Sequence, residues 1–180
     1  MTYNDEKLTV YEQELFGRYI IINYVLKDTF NIANPNHIKP THVKCGVDLY
    51  YTGNTGNQYV VEIKERNYMI ANPNNKENNW MLETDKLNEL KLRNTHKPFY
   101  FNIFQNNKVA IWNLNKFDFD KMEIRNKVLR KSYCQETGTE PTDFYDLPAD
   151  AAKIIDLPKE LDLKSIKMKI KNKEITTPYK

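Results

Sequence analysis

Hydrophobic and polar residues alternate along residues 47–64, a pattern that predicts two β-strands joined by a turn. The segment T-G-N-T-G-N at residues 52–57 lies between the strands and supplies glycines for that turn. If the chain folds back at Thr55, the apolar residues of one face meet in pairs, so this face can pack on a core. The pairs are Val47 with Ile63, Leu49 with Val61, and Tyr51 with Tyr59.

The same register places Asp48 directly opposite Glu62 on the other face of the hairpin. Facing residues on antiparallel strands have Cβ atoms roughly 4.5–5.5 Å apart, where two like charges destabilise the sheet. We therefore expect positive charge beside this pair, from Lys64 on the same face or from a divalent cation with oxygen ligands. A register shifted by two would keep the faces and make the carboxylates diagonal neighbours, so both registers stay open.

Apolar residues at helical spacing, and shorter apolar runs bounded by turn residues, predict further elements. These are helices over residues 9–27 and 80–93 and strands over residues 37–39, 98–104 and 108–114. A strand followed by a helix and another strand normally gives parallel pairing. The strand at 98–104 is therefore expected beside the strand that carries Glu62.

The carboxyl-terminal third has a less regular pattern. Residues 117–134 fit either a helix or a strand, residues 138–148 contain turn signals, and residues 148–155 suggest a short helix. In the segment 164–180, isoleucine and methionine alternate with Lys167, Lys169 and Lys171, which predicts a strand with a basic edge. Such lysines either block unwanted strand pairing or contact phosphates, and the sequence leaves both roles open.

Composition narrows the class of protein. The 180 residues suit one domain, with a core at 1–115 and an extension at 116–180 that packs on it or continues it. With 40% hydrophobic and 12% aromatic residues, the chain is not wholly disordered. The apolar run at 19–26 is too short to span a bilayer and no signal sequence precedes it, so we expect no membrane partner and a cytoplasmic location. Cys45 and Cys134 fit a reducing compartment.

Asp48, thirteen intervening residues and the run Glu62-Ile63-Lys64 together resemble the signature of the PD-(D/E)XK nuclease superfamily. Val47 stands where that signature often has proline. The resemblance implies an α/β (α+β) fold with a restriction-endonuclease-like αβββαβ core, a mixed central sheet flanked by helices. It also implies that Asp48, Glu62 and the backbone carbonyl of Ile63 hold Mg²⁺, or Mn²⁺, with Lys64 beside the attacking water. The alternative is a hairpin whose outer face is merely charged.

Two further residues enter through this resemblance. Glu12 lies in the run Glu12-Gln13-Glu14-Leu15, which matches the E-x-E-L pattern of nucleases similar to Holliday-junction resolvases, where the glutamate adds a metal or water ligand. The residues Thr9-x-x-Glu12 also fit a capping box, so both roles stay open. Lys86 lies on the second helix, where the superfamily places a basic or amide residue that reaches the scissile phosphate. An ordinary surface lysine is the alternative.

The function expected from these residues is that of a Mg²⁺-dependent endonuclease acting on DNA in restriction, repair, recombination or a mobile element. Lys86, Lys167, Lys169 and Lys171 are the candidate nucleic-acid contacts. A junction-resolving enzyme would need a homodimer, for which the sequence shows no clear surface. The alternative is a non-catalytic nucleic-acid-binding or assembly protein that keeps the nuclease fold. The net charge of +3 is too small to prove that the protein binds nucleic acid. The Asn-rich loop at 67–79 is either a mobile flap over the site or exposed loop.

Overall fold

A computed structural model describes residues 8–42, 45–66, 80–130 and 139–180, and it combines a mixed β-sheet, a smaller sheet and α-helices. The α-helices of the described residues are α1 (Val10–Ile20), α2 (Thr84–Lys91) and α3 (Leu163–Lys171). The strands are β1 (Ile38–Pro40), β2 (Leu49–Thr52), β3 (Gln58–Arg66), β4 (Trp80–Glu83), β5 (Lys97–Phe104), β6 (Lys108–Asn113), β7 (Ile124–Arg130), β8 (Thr139–Leu147) and β9 (Lys153–Asp156). The predicted mixed sheet with helices is therefore confirmed.

The larger sheet has the strand order β1-β2-β3-β5-β6-β9. Strands β3 and β5 are parallel, and Glu62 lies beside Tyr100 in their register, as the strand–helix–strand order predicted. All other neighbours in this sheet are antiparallel. The smaller sheet has the antiparallel order β4-β8-β7. Residues after 116 contribute β9 to the larger sheet and two strands to the smaller one.

The hairpin of β2 and β3 has the register predicted by folding about Thr55, with Leu49 opposite Val61 and Tyr51 opposite Tyr59. The amide of Asp48 also donates to the Val61 carbonyl, at 2.9 Å. Two successive residues therefore face Val61, which is the arrangement of a β-bulge. The bulge interrupts the alternation, and Val47 consequently packs on the opposite core from Leu49, contrary to the predicted pairing of Val47 with Ile63.

Both faces of the larger sheet are covered. On the face of Leu49 and Val61, a hydrophobic core forms against residues of α1 and α3. On the other face, Val60 and Trp112 pack with α2 and the smaller sheet. The hairpin alternation predicted a core on the face of Leu49 and Val61, and the structure adds a second layer on the opposite face. As a result Glu62, on this second face, is buried rather than exposed.

Helix α1 lies very close to β3. A Cβ atom added to Gly17 would lie 3.1 Å from Cγ2 of Ile63, a distance tighter than ordinary van der Waals contact. The predicted first helix is confirmed, although its second half, Ile21–Lys27, is a π-helix that continues from α1. This close approach brings the polar residues of α1 to the strand that carries Glu62.

The predicted helix over residues 80–93 is only partly correct. Trp80–Glu83 forms β4, in which Trp80 and Leu82 are buried at alternate positions, and the helix begins at Thr84. Strand β4 pairs with β8, more than sixty residues later in the chain. Tertiary pairing therefore overrides a helical pattern here.

Two predictions for the carboxyl-terminal third were also wrong. Residues 164–180 do not form a basic edge strand; their first part belongs to α3, where Ile166 and Ile170 are buried on one face and Met168 is 65% exposed. Asp162 caps this helix by accepting from the amides of Lys164 and Ser165. The predicted short helix at 148–155 is a 3₁₀ turn followed by β9.

Two predictions concern residues outside the described part of the chain, namely the flap at 67–79 and the thiol of Cys134. Cys45 is described, and it is a free, exposed cysteine. Within the described ranges, no helix combines the length and the apolar character needed to cross a bilayer.

Candidate functional site

The second face of β3 carries a cluster of charged side chains around Glu62. The Glu62 side chain is only 4% exposed, and its Oε1 atom lies 3.4 Å from Nζ of Lys64 and 3.3 Å from Nζ of Lys86. Lys64 follows Glu62 by two residues on the same strand face, whereas Lys86 is brought there by α2, which packs over that face. The structure therefore brings together Glu62, Lys64 and Lys86.

Asp48 lies at the bulge, beside the same strand. Its Oδ2 atom accepts a hydrogen bond from the amide of Ile63 at 2.6 Å, and its Oδ1 atom lies 3.4 Å from Nη2 of Arg18. A bulge redirects a side chain out of regular alternation. This explains how Asp48 reaches both the backbone of β3 and a side chain of α1.

Arg18 is a site residue that the sequence analysis missed. Its Nε donates to the Asp48 carbonyl at 2.9 Å, and its Nη1 atom lies 3.0 Å from Oε2 of Glu14. Only 7% of the Arg18 side chain is exposed. The available signal was an arginine within the apolar run that begins at Leu15, because an arginine is rarely buried without a partner.

Glu83 is a second residue that the sequence analysis did not assign to the site. It ends β4, and its Oε1 atom lies 3.8 Å from Nζ of Lys64. Lys64 therefore lies between Glu62 and Glu83. Placing Glu83 required knowledge of the pairing between β4 and β8, which is distant in sequence.

Burial raises the pKa of both acidic residues named by the motif. The pKa of Glu62 rises from 4.5 to about 7, because burial and the nearby charge of Asp48 outweigh the attraction of Lys64 and Lys86. Burial also raises the pKa of Asp48, although the amide of Ile63 and the charge of Arg18 act in the opposite direction. The two carboxylates therefore repel each other in a site with little water to screen them.

The pKa of Lys64 is also raised, but by neighbouring charge and not by burial. Burial alone would lower the pKa of its ammonium group, but the carboxylates of Glu62 and Glu83 outweigh burial and raise that pKa above the ordinary value of 10.5. Lys64 is therefore protonated at neutral pH. A protonated lysine donates hydrogen bonds and stabilises negative charge; it does not accept a proton.

The oxygen ligands at this site fit Mg²⁺. Among the described residues, no group of three or more His, Cys, Asp and Glu side chains is suited to hold a metal ion. Mg²⁺ does not require such a group, because it is commonly bound through one or two carboxylates and keeps several waters. Asp48 and Glu62 would supply these carboxylates. Since the amide and carbonyl of a strand residue point to the same side, the Ile63 carbonyl faces Asp48 as its amide does.

Glu12 lies at the start of α1 as part of a capping box. Its Oε2 atom accepts from the amide of Thr9 at 2.7 Å, and its own amide donates to Oγ1 of Thr9 at 3.3 Å. No described contact joins Glu12 to Asp48 or Glu62. Of its two predicted roles, capping is the one for which the structure shows contacts.

We expect Glu12→Gln to leave both stability and any nuclease activity unchanged, because glutamine also completes a capping box. Glu12→Ala should lower the free energy of unfolding by about 1 kcal/mol. Urea unfolding and DNA cleavage, measured on both variants, test this. A large loss of cleavage in a stable Glu12→Gln protein would instead support the ligand role.

The three carboxyl-terminal lysines lie on or at the end of α3 and not on a strand edge. Lys167 forms an ion pair with Glu65 and lies 5.0 Å from the ring centroid of Phe16, so its charge is already engaged. Lys169 is exposed and Lys171 is half-buried. Neither Lys167 nor Lys169 has a described contact with Asp48, Glu62 or Lys64.

Comparisons of the chain with protein-family profiles, with curated proteins and with solved structures gave no significant match.

Proposed function

We propose that this protein is a Mg²⁺-dependent nuclease that hydrolyses phosphodiester bonds in DNA, with a restriction-endonuclease-like core. The observation that carries the proposal is the carboxylate of Glu62 beside the ammonium groups of Lys64 and Lys86, with the carboxylate of Asp48 held near the same strand by the amide of Ile63. The order α1, β1, β2, β3, α2, β5, with β3 parallel to β5, agrees with the αβββαβ order of that fold. Strand β4 is an addition before α2.

Each residue of the site has a separate task in this proposal. Asp48, Glu62 and the carbonyl of Ile63 would hold the metal ion, which lowers the pKa of bound water and neutralises charge that builds on the phosphate. Lys64, held protonated by its two glutamates, orients the attacking water and stabilises the developing negative charge. Lys86 contacts the scissile phosphate. Arg18 is a positioning residue, because it fixes Asp48 through two hydrogen bonds and does not itself touch substrate.

The direct test uses purified protein with plasmid, branched and single-stranded DNA in the presence of Mg²⁺, Mn²⁺ or EDTA. We expect strand cleavage with either metal and none with EDTA. Cleavage that continues in EDTA would contradict the mechanism. Sedimentation velocity on the same sample tests whether a homodimer forms, which would bring two sites to opposite strands.

One observation favours a second candidate, a nucleic-acid-binding or assembly protein without turnover. Lys64 and Lys86 already lie within 3.4 Å of Glu62, so positive charge partly neutralises this carboxylate without a metal. DNA binding that is independent of metal, together with no cleavage of any substrate, would support this candidate over the nuclease.

A further inference from the structure

A cleft of about 350 Å³ lies on the opposite face of the hairpin from Glu62, near the turn. Residues from β2, β3, β5 and the segments around Phe30, Lys116 and Lys153 line it. Its lining includes four aromatic residues and two lysines, namely Phe30, Tyr51, Tyr59, Phe99, Lys116 and Lys153. Its volume falls within the range of about 300–1,000 Å³ that is usual for small-ligand sites.

Aromatic rings from three neighbouring strands form one wall of the cleft. The rings of Tyr51 and Tyr59 are stacked with centroids 4.6 Å apart, and Tyr59 meets Phe99 edge to face at 5.3 Å. Tyr51 is buried, whereas Tyr59 and Phe99 remain half-buried. The wall therefore offers ring surface against which another flat, apolar group can stack.

The turn of the hairpin is shaped to admit the Tyr59 ring. A Cβ atom added to Gly53 would lie 2.9 Å from Cε2 of Tyr59, so the ring lies over a backbone position that has no side chain. Gly53 also lines the cleft. The position of the Tyr59 ring and the shape of the cleft therefore both depend on the absence of a side chain at residue 53.

The charge of the cleft is positive. Lys116 and Lys153 are exposed at its rim, and none of the described residues that line it is acidic. Nζ of Lys153 lies 5.1 Å from the ring centroid of Phe30, which places the ammonium group next to the apolar wall. Asn54 and Asn113 add amide groups to the lining. The cleft thus combines flat apolar surface with groups that attract an anion.

We propose that this cleft binds a nucleotide unit of single-stranded nucleic acid, with the base against Tyr59 and Phe99 and the phosphates near Lys116 and Lys153. Base stacking on aromatic side chains beside basic residues is the usual means of holding a single strand without sequence readout. In a duplex the bases are already stacked and paired, so they cannot take this position.

The cleft is separate from the carboxylate site. Tyr59 precedes Glu62 by three residues on β3, so the two lie about 10 Å apart along the strand and on opposite faces. Binding at the cleft requires neither metal nor catalysis. The proposal and the nuclease proposal can therefore fail independently.

The test is fluorescence anisotropy with a labelled oligothymidylate in EDTA. The variant Lys116→Ala/Lys153→Ala should bind roughly tenfold more weakly and should lower the slope of log Kd against log salt concentration by about 1.4, the value for two lost phosphate contacts on a single strand. The control, Lys39→Ala/Lys164→Ala, removes the same charge at exposed positions outside the cleft. Equal affinity of the two double variants would overturn the proposal.

A further variant tests the stacking. Tyr59→Leu keeps apolar bulk but removes the ring, and should weaken single-strand binding at least about fivefold while leaving duplex binding unchanged. An equal loss with duplex would contradict stacking, and binding of thymidine monophosphate without binding of the oligonucleotide would contradict the single-strand ligand. If Tyr59→Leu does not fold, as judged by circular dichroism, the double lysine variant decides the question.

Discussion

Asp48→Asn is expected to lower the rate of Mg²⁺-dependent DNA cleavage about a thousandfold or more. Charge stabilisation by a bound metal ion lowers the activation free energy by several kcal/mol, and the variant would lose this contribution. The substitution is nearly isosteric, and the asparagine carbonyl can still accept the hydrogen bond from the amide of Ile63. It removes the negative charge that the metal requires. The rate of plasmid nicking at saturating Mg²⁺ measures the effect.

Lys64→Met should cause a comparable loss through a different route. It keeps the aliphatic length of Lys64 but removes the ammonium group that lies between Glu62 and Glu83. Asp120→Asn is the matched control, because Asp120 is an exposed aspartate with no described contact to the site. A folded Asp48→Asn protein that nicks plasmid at the rate of the control would contradict the proposed mechanism.

The second large effect concerns stability and pH. The pKa of Glu62 is about 7 in the folded protein and 4.5 in the unfolded chain. Between pH 4.5 and pH 7, the folded protein therefore keeps a proton on Glu62 that the unfolded chain has lost. Stability should therefore fall as pH rises from about 4.5 to about 7 and change little from this source above that range. A tenfold change in an ionisation equilibrium corresponds to about 1.4 kcal/mol, so the full effect is on the order of 3 kcal/mol.

Glu62→Gln removes this titration. We expect the variant to be more stable than the natural protein at pH 8, by an amount on the order of 3 kcal/mol, and to differ little from it near pH 4.5. Urea unfolding across pH 4.5 to 8.5 measures both, with Glu160→Gln as a control at an exposed position. A natural protein that gains stability steadily over this range, with no gain from Glu62→Gln at pH 8, would show that ionised Glu62 is not destabilising.

Addition of Mg²⁺ connects the two experiments. A bound divalent cation would neutralise the repulsion between Asp48 and Glu62, so Mg²⁺ should raise the stability of the natural protein at pH 8. Glu62→Gln lacks one of the two carboxylates and should show a smaller increase. This comparison detects metal binding even where no cleavage occurs.

The hairpin could be predicted from the sequence because its information is local. Alternation with a period of two and a glycine-containing turn favour the register of Leu49 with Val61, which the structure shows. Because Lys64 follows Glu62 by two residues, the same alternation places both side chains on one face of β3. The position of Val47 could not be predicted in the same way, because the bulge at Asp48 changes the alternation by one residue.

Elements whose partners are distant in sequence could not be predicted. Trp80–Glu83 has a pattern that suits a helix until β8 is available to pair with it. In α3, the spacing of Ile166, Met168 and Ile170 fits a strand as well as a helix, and the capping by Asp162 and packing on α1 decide in favour of the helix. Arg18 and Glu83 joined the site only through such packing, so a search for a motif along the chain did not find them.

The close approach of Gly17 to Ile63 has a consequence for how the site is held. A helix that contacts a strand through a residue with no side chain has little freedom to slide or rotate. The position of Arg18 relative to Asp48 is therefore fixed. The entropy of ordering Asp48 is therefore lost when the protein folds, and not when a ligand arrives, which is the physical meaning of preorganisation. Gly17 thus contributes to the geometry of the site, although it has no side chain that could contact a substrate.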